Sequence, residues 1–283
     1  MCIITLLFYS PWERDETRRM KFFARRPQKI LPNVHAGNSF SKEHSPCHTP
    51  TPMKRFLPLL LLACSATLAL AEIAASDYSR PIFSDDFSGT AFGNRWGHYK
   101  SSSVIKDGML MGITGETSDH PAVDNVKIDG ERDLEVSVKF QFASDKAKGW
   151  NIWFDDKDYK GSHAGHICSV TVTPKSVVVA DAKTGNFRND FVEKRAKPDG
   201  LTLEDKEYLK TKTVTFPTTV SLQDWHTIIA RTKADEVEVT LDGKVVGSFK
   251  SEGIAHETKS LISLTTNRVD VNYKDFSIKG VAK

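Results

Sequence analysis

Between Arg132 and Phe142 the chain alternates without a slip. Leu134, Val136, Val138, Phe140 and Phe142 stand against Asp133, Glu135, Ser137, Lys139 and Gln141. Period two over this length puts all five apolar side chains on one face of an extended strand. The pattern returns at Val237, Val239 and Leu241 against Glu236, Glu238 and Thr240. Asp242-Gly243 then turns the chain into Lys244–Lys250, a two-residue hairpin signature. Val269, Val271 and Tyr273 alternate on odd numbers and Phe276 and Ile278 on even ones, which predicts a bulge near Lys274-Asp275. Shorter strands are predicted at Ile82–Phe87, Ser103–Lys106, Met109–Ile113, Val123–Ile128, Trp150–Asp155, His166–Thr173, Val177–Asp181, Val214–Phe216, Trp225–Thr232 and Leu261–Thr265. Asp107-Gly108, Asp129-Gly130 and Thr173-Pro174 read as turns between them. Many short strands and almost no helix predict an all-β sandwich or barrel.

A different pattern governs the N-terminal quarter. Lys54 and Arg55 follow Met53, then an apolar run from Phe56 to Leu70, then Ala69-Leu70-Ala71 before Glu72. A basic start, a short apolar stretch and small residues at the end predict a signal peptide over 53–71. The run is shorter than the roughly 18–20 residues that span a bilayer, and Pro58 argues against a buried helix. Leu61-Leu62-Ala63-Cys64 offers an alternative, a lipoprotein anchored at Cys64. The short apolar stretch before Cys64 and the apolar residues after it favour a free secreted or periplasmic product. Residues 1–52 are rich in Pro, Arg and His and follow neither period; they are expected to be a disordered, over-extended start.

The charge balance depends on that boundary. The whole chain carries 39 basic and 36 acidic residues, a net of +3. Residues 1–71 hold 10 basic and 4 acidic ones, leaving residues 72–283 with 29 and 32, a net of −3. No basic tract remains for nucleic acid, which is excluded as a partner, and no membrane-spanning segment is expected. Of four cysteines only Cys168 remains, so no internal disulfide forms. A single domain over 72–283 can bury roughly 70% of its unfolded surface and hold together without one. Nothing in the sequence indicates an oligomeric state.

One stretch, 183–213, breaks the strand rhythm. It is charged, carries Phe187 and Phe191 four apart, and contains Thr202-Leu-Glu-Asp205, a capping box with Asp in the third position. A helix is predicted over Thr202–Lys210. So long an excursion from a compact β domain is either a lid over a site or a solvated loop.

Candidate chemistry concentrates between Trp150 and His166. By period two, Asn151, Trp153 and Asp155 share one strand face, and Ile152 and Phe154 the other. An aromatic between an amide and a carboxylate gives a sugar ring an apolar face and partners for its hydroxyls. The competing expectation is a buried Trp153. His163-Ala-Gly-His166 places two imidazoles three apart, able to hold a metal or relay protons. No Cys or third His stands at a zinc spacing. Asp155, Asp156 and Asp158 lack the calcium-loop pattern, so no cofactor is expected beyond a structural calcium ion. Asp133 with Glu135, and Glu236 with Glu238, are expected on solvated outer faces. Lys157, Asp181, Arg188, Asn189, Asp190 and His256 are the remaining polar candidates. No Gly-rich phosphate loop or nucleophile elbow is present.

Several segments together carry a resemblance. They are Phe83-Ser-Asp-Asp-Phe-Ser-Gly89, Trp96-Gly97, Asp107-Gly-Met-Leu110, Trp225-His-Thr-Ile-Ile229 and Leu241-Asp-Gly-Lys-Val-Val-Gly247. The chain from 82 to 279 resembles concanavalin-A-like domains, and more narrowly the secreted bacterial 3-keto-disaccharide hydrolases, which are similar to family-16 glycoside hydrolases. The resemblance implies a jelly-roll β-sandwich with one short helical excursion, and hydrolysis of a glycoside or keto-sugar derivative. If the chain is such a hydrolase, Asp155 or Asp181 is expected to act as the carboxylate acid/base, helped by His166, with Asn151, Trp153, Lys157, His163 and Arg188 positioning the sugar. Where the family carries a Glu-x-Gln-x-x-Asp strand, this chain reads His166-Ile-Cys-Ser-Val170, and the Glu and Gln are absent. That departure supports a rival expectation, a non-catalytic carbohydrate-binding or surface-interaction module. A purely structural secreted domain is a third.

Overall fold

A computed structural model describes residues 73–145, 148–266 and 271–282. The expected signal peptide, Cys64 anchor and disordered start lie outside these residues. The strands are β1 (Arg80–Asp85), β2 (Trp96–Tyr99), β3 (Val104–Lys106), β4 (Met109–Gly112), β5 (Ala122–Glu131), β6 (Leu134–Phe142), β7 (Trp150–Asp155) and β8 (His166–Thr173). They continue with β9 (Ser176–Asp181), β10 (Thr213–Pro217), β11 (His226–Lys233), β12 (Glu236–Leu241), β13 (Lys244–Lys250), β14 (Lys259–Thr266) and β15 (Val271–Gly280). Two helices, α1 (Asn189–Ala196) and α2 (Leu203–Lys210), lie between β9 and β10.

The strands form two antiparallel sheets. One runs β13-β12-β11-β6-β15-β4-β3, with β1 also paired to β15; the other runs β10-β9-β8-β7-β14-β5-β2. The alternating residues meet between them. Val136, Val138 and Phe140 of β6 and Val237 and Val239 of β12 face Trp150, Ile152 and Phe154 of β7 and Val170 and Val172 of β8, all fully buried. The strand most legible in the sequence, β6, is accordingly central in its sheet.

Local signals fall where turn chemistry puts them. Asp242 and Gly243 both take positive φ, 49° and 77°, as a two-residue hairpin of this twist requires. The bulge in β15 lies between Lys274 and Ser277, with Asp275 at φ 49°. Thr202 accepts the backbone N–H of Asp205, whose side chain accepts that of Thr202, so the variant capping box caps α2. Two expectations need correction. Asp129-Gly130 is no turn but lies inside β5, and the sequence reading missed β2 and α1.

The outer face of the first sheet is not the solvated carboxylate surface expected. Glu135 is 4% exposed and Glu238 only 2%. Arg231 of the intervening strand bonds Glu135 through Nε at 2.8 Å and Glu238 through Nη1 at 3.4 Å. Residues 73–78 lie across this cluster: the Ile73 N–H donates to Glu238 at 2.9 Å and the Tyr78 hydroxyl to the Thr232 carbonyl at 2.8 Å. Buried charge of this kind is tolerated only when paired and hydrogen-bonded. The covering segment is far away in sequence, so strand periodicity alone does not reveal it.

Candidate functional site

The seven-stranded sheet has β7 near its centre, flanked by β8 and β14. Trp150, Ile152 and Phe154 point into the sandwich, so Asn151, Trp153 and Asp155 point away from it. Across the ladder, Trp153 has Ser169 on one side and Ser263 on the other, and Asn151 has Thr171 and Thr265. Ser169 and Ser263 are themselves buried, whereas the indole of Trp153 is half-buried.

His166 reaches the same face through an irregularity. Cys168 pairs with Phe154, but the next rung pairs His166 with Asp155, and Ile167 is left unmatched. Strict alternation from Cys168, whose side chain is fully buried, would turn His166 inward as well. The extra residue reverses that phase, as β-bulges do. His166 Nδ1 lies 2.7 Å from Asp155 Oδ1, and its ring lies 4.3 Å from that of Trp153, tilted by 33°. Asp155 is 3% exposed and also accepts a hydrogen bond from Ser263. Burial pushes its carboxyl above the usual range, with His166 and Ser263 pulling the other way. A carboxylate on Nδ1 fixes that nitrogen as the donor. In the neutral ring, Nε2 is then the lone-pair acceptor.

The loop between β7 and β8 folds back tightly. The Asp156 N–H donates to the Gly165 carbonyl at 2.9 Å, and Ser162 Oγ donates to the His166 carbonyl at 2.7 Å. Gly165 sits at φ 74°, where a Cβ would come within 2.0 Å of the Asp156 carbonyl oxygen. The root of the 183–213 excursion is stitched to this loop. The His163 N–H donates to the Phe187 carbonyl at 2.7 Å and Asn189 Nδ2 to the Lys160 carbonyl at 2.6 Å. Phe187 thereby packs edge-on against both Trp153 (5.2 Å) and His166 (4.7 Å), and lies parallel to His163 at 6.3 Å. Beside these rings opens a cleft of about 320 Å³ lined by Lys157, Tyr159, Lys160, His163 and Asn189 with small residues between. Burial lowers the His163 pKa, and His166, His120 and Arg195 lower it further.

The structure thus gathers Asn151, Trp153, Lys157, His163, Asp155 and His166. Asn151 Oδ1 accepts from Thr171 Oγ1 at 2.5 Å, which fixes its amide on the sheet. Two expected residues are not brought there. Asp181 shares the inward phase of Val177 and Val179 and is 1% exposed. It accepts from Thr184 N and Oγ1, Ser251 Oγ and Gly253 N, at 2.5–3.0 Å, and so pins two turns together at the sandwich edge. Arg188 turns into the excursion, bidentate to Asp190 (2.6 and 2.8 Å) and 4.0 Å above the Phe191 ring. Phe187 is the site residue to which sequence reading gave no role, because only its long-range stitching brings it in. Among the described residues no group of three metal-ligating side chains forms, and no helix is long and apolar enough to cross a membrane.

Other Asp–His pairs exist: Asp124 with His98, Asp156 with His256 and Asp242 with His226. Of the four, only Asp155–His166 is stacked on an outward-pointing tryptophan beside the cleft.

Among solved structures, SCLam, a non-specific endo-β-1,3(4)-glucanase from family GH16, is similar at TM-score 0.50 and 11% identity over 75% of this chain and 94% of that one. The chain shares its jelly-roll fold. A sialidase is similar to this jelly roll at TM-score 0.51 and 14% identity, over 71% of this chain but only 18% of that chain. The carbohydrate-binding module CBM66 from Bacillus subtilis aligns at TM-score 0.46 and 12% identity, over 67% and 99%. No family model and no curated protein matches the chain.

Proposed function

We propose that the protein is a secreted or periplasmic carbohydrate-active domain. In this reading sugar binds on the outer face of the seven-stranded sheet, and His166, oriented by Asp155, transfers a proton on it. The observation that carries the reading is the stack of Trp153 and His166 with a buried carboxylate behind the imidazole. The jelly-roll fold shared with a family-16 glucanase supports it.

Each residue has a role in this scheme. Trp153 and Phe187 offer apolar surface to a ring face; Asn151, Lys157 and His163 offer partners to hydroxyls. Asp155 is too buried to reach a glycosidic oxygen itself, so it acts as a positioning residue for His166. Asp181 and Arg188 have no part.

The scheme also narrows the chemistry. Displacement by two carboxylates needs a second acid on the opposite side of the bond, and the gathered set has one, already engaged. A 3-keto glycoside, the substrate type that the family resemblance implies, needs only one base. Its carbonyl acidifies the neighbouring C2–H. A base takes that proton, a C1=C2 double bond forms, the C1–O bond breaks with the electron pair going to the leaving oxygen, and water then adds. In this reading His166 Nε2 acts as that base.

The absence of the family's Glu and Gln favours the rival, a non-catalytic sugar-binding module. A glycan array followed by turnover assays of the hits separates the two. Binding lost in Trp153→Ala, with product formation lost in His166→Ala, supports the enzyme. Binding lost in Trp153→Ala with no product from the wild type supports the module. No binding to any glycan defeats both.

A further inference from the structure

A second aromatic stands on the outer face that carries Trp153. In β2 the side chains of Trp96 and His98 turn inward: Trp96 is buried in the core, and His98 reaches the fully buried Asp124 at 2.8 Å. Tyr99 therefore points outward, and it is 54% exposed. The ladders fix its place. Tyr99 pairs with Val123 of β5, Val123 with Thr265 of β14, and Thr265 with Asn151 of β7. The neighbouring outward line runs from Gly97 through Asn125 and Ser263 to Trp153. The strands of the two rings are thus separated by three inter-strand spacings, about 14 Å. Ser263 and Thr265 are buried, whereas Val123 and Asn125, nearer Tyr99, are half-buried.

The Tyr99 ring is held in place. His120 meets it edge-on at 5.1 Å. His120 Nδ1 lies 2.7 Å from the Pro121 carbonyl, which makes that nitrogen the donor, and the His120 N–H donates to Ser118 Oγ at 3.3 Å. Lys100, next to Tyr99, pairs with Asp119, next to His120, at 3.1 Å. Thr114, at the start of the same loop, donates to the Thr266 carbonyl at 2.6 Å and accepts the Ala122 N–H at 2.9 Å. His120 also bears electrostatically on His163, so this loop and the Trp153 group border one surface. The Asn125 side chain lies over Gly97, where a Cβ would come within 2.7 Å of Asn125 Oδ1. An exposed, fixed ring with an amide at its diagonal neighbour repeats the pairing of Trp153 with Asn151.

We infer that Tyr99, with Asn125 beside it, is a second sugar contact, and that the ligand of this face is an oligosaccharide reaching from Trp153 to Tyr99. The inference rests on the proposed sugar face and names the substrate class for it. A single sugar ring stacked on Trp153 leaves Tyr99 out of reach at this spacing, whereas a chain crossing β14 and β5 meets both. Tyr99 therefore selects for chain length.

Neutral gluco-, galacto-, xylo- and chito-oligosaccharide ladders, each from mono- to hexasaccharide, test this by calorimetric titration of the full chain, Trp153→Ala, Tyr99→Ala and Tyr99→Trp. In a ladder that binds, affinity is expected to rise by about fivefold or more from the shortest ligand to the longest, the scale of one aromatic contact. Tyr99→Ala is expected to remove that rise while binding the shortest ligand as the wild type does, and Tyr99→Trp to keep it. Trp153→Ala is expected to weaken every length. Affinity independent of length overturns the inference alone, as does a rise that survives Tyr99→Ala or a loss in Tyr99→Ala that is equal at every length. Absence of wild-type binding to every ladder overturns the sugar face and the inference with it.

Discussion

His166 and Asp155 meet across a bulge and not across a regular rung. Nδ1 and Oδ1 are 2.7 Å apart while Ile167, next to His166 in the chain, has no partner on β7. Two neighbouring strands thus present an acid and a base to one surface, although strict alternation would bury the base.

The buried carboxylate predicts a stability signature. Asp155 titrates above its usual range in the folded protein because burial disfavours its charge. Between the unfolded value, about 3.9, and the raised one, the folded state binds more protons than the unfolded. Wild-type stability therefore falls as pH rises through that window. Asn does not titrate, so Asp155→Asn is expected to gain on the wild type as pH rises, and to lose that gain in acid. Thermal unfolding of both proteins from pH 3 to pH 8 checks this. A variant that loses ground with rising pH contradicts the buried-charge account. Any turnover found should fall steeply in the same variant, by up to about 10⁴-fold, since the imidazole loses its tautomer.

The turn before His166 predicts a severe glycine substitution. Gly165→Ala places a Cβ against the Asp156 carbonyl at a φ that side chains rarely adopt. A loss of about 2 kcal/mol or more is expected, with weakened sugar binding because both histidines flank this turn. Denaturant unfolding and array binding of the variant measure the two effects. An Ala164→Gly control, also at positive φ (54°), should leave stability nearly unchanged.

Cys168 should be inert in the folded state. Burial pushes its thiol up to about 12, and the thiolate is the reactive form. Alkylation at pH 8 followed by peptide mapping should find Cys168 unmodified in native protein and modified in denaturant. Labelling of the native protein at this position would contradict the packing of β8.

Arg231 should be among the costliest side chains to truncate. Arg231→Ala leaves Glu135 and Glu238 buried, with only Lys279 and the Ile73 N–H as compensation. A loss of about 3–5 kcal/mol is expected from an uncompensated buried charge. Replacing Arg231, Glu135 and Glu238 together by apolar residues of similar volume should cost much less. Equal losses in the two variants would show that packing, not charge, dominates the cluster.

Legibility followed the range of the forces involved. Alternation identified β6, β7 and β12 because side-chain phase is a local property, and the Asp242-Gly243 turn announced β13. Thr202–Lys210 was legible because a cap is local too. The face carrying Asn151, Trp153 and Asp155 came from the same rule, and that rule applied to Val177–Asp181 would have placed Asp181 inside. The outward turn of His166 needed a bulge that no turn residue in β8 announces. Phe187 at the site and the buried Glu135–Arg231–Glu238 cluster depend on chain segments far away in sequence.

The covering segment 73–78 has a further consequence. The Ala282 N–H reaches the Asp77 carbonyl at 3.4 Å, and Arg80 pairs with Gly280 across β1 and β15. Residues 77 and 282 are therefore neighbours, on the sheet that does not carry Trp153. A short peptide could join them and the chain be reopened at the exposed Asp242-Gly243 hairpin, with every strand pairing kept. Such a circular permutant would leave the sheet that carries Trp153 untouched. A fusion attached near residue 282 would likewise leave from the sheet opposite Trp153, so this jelly roll can be tethered at that edge without covering the proposed sugar face.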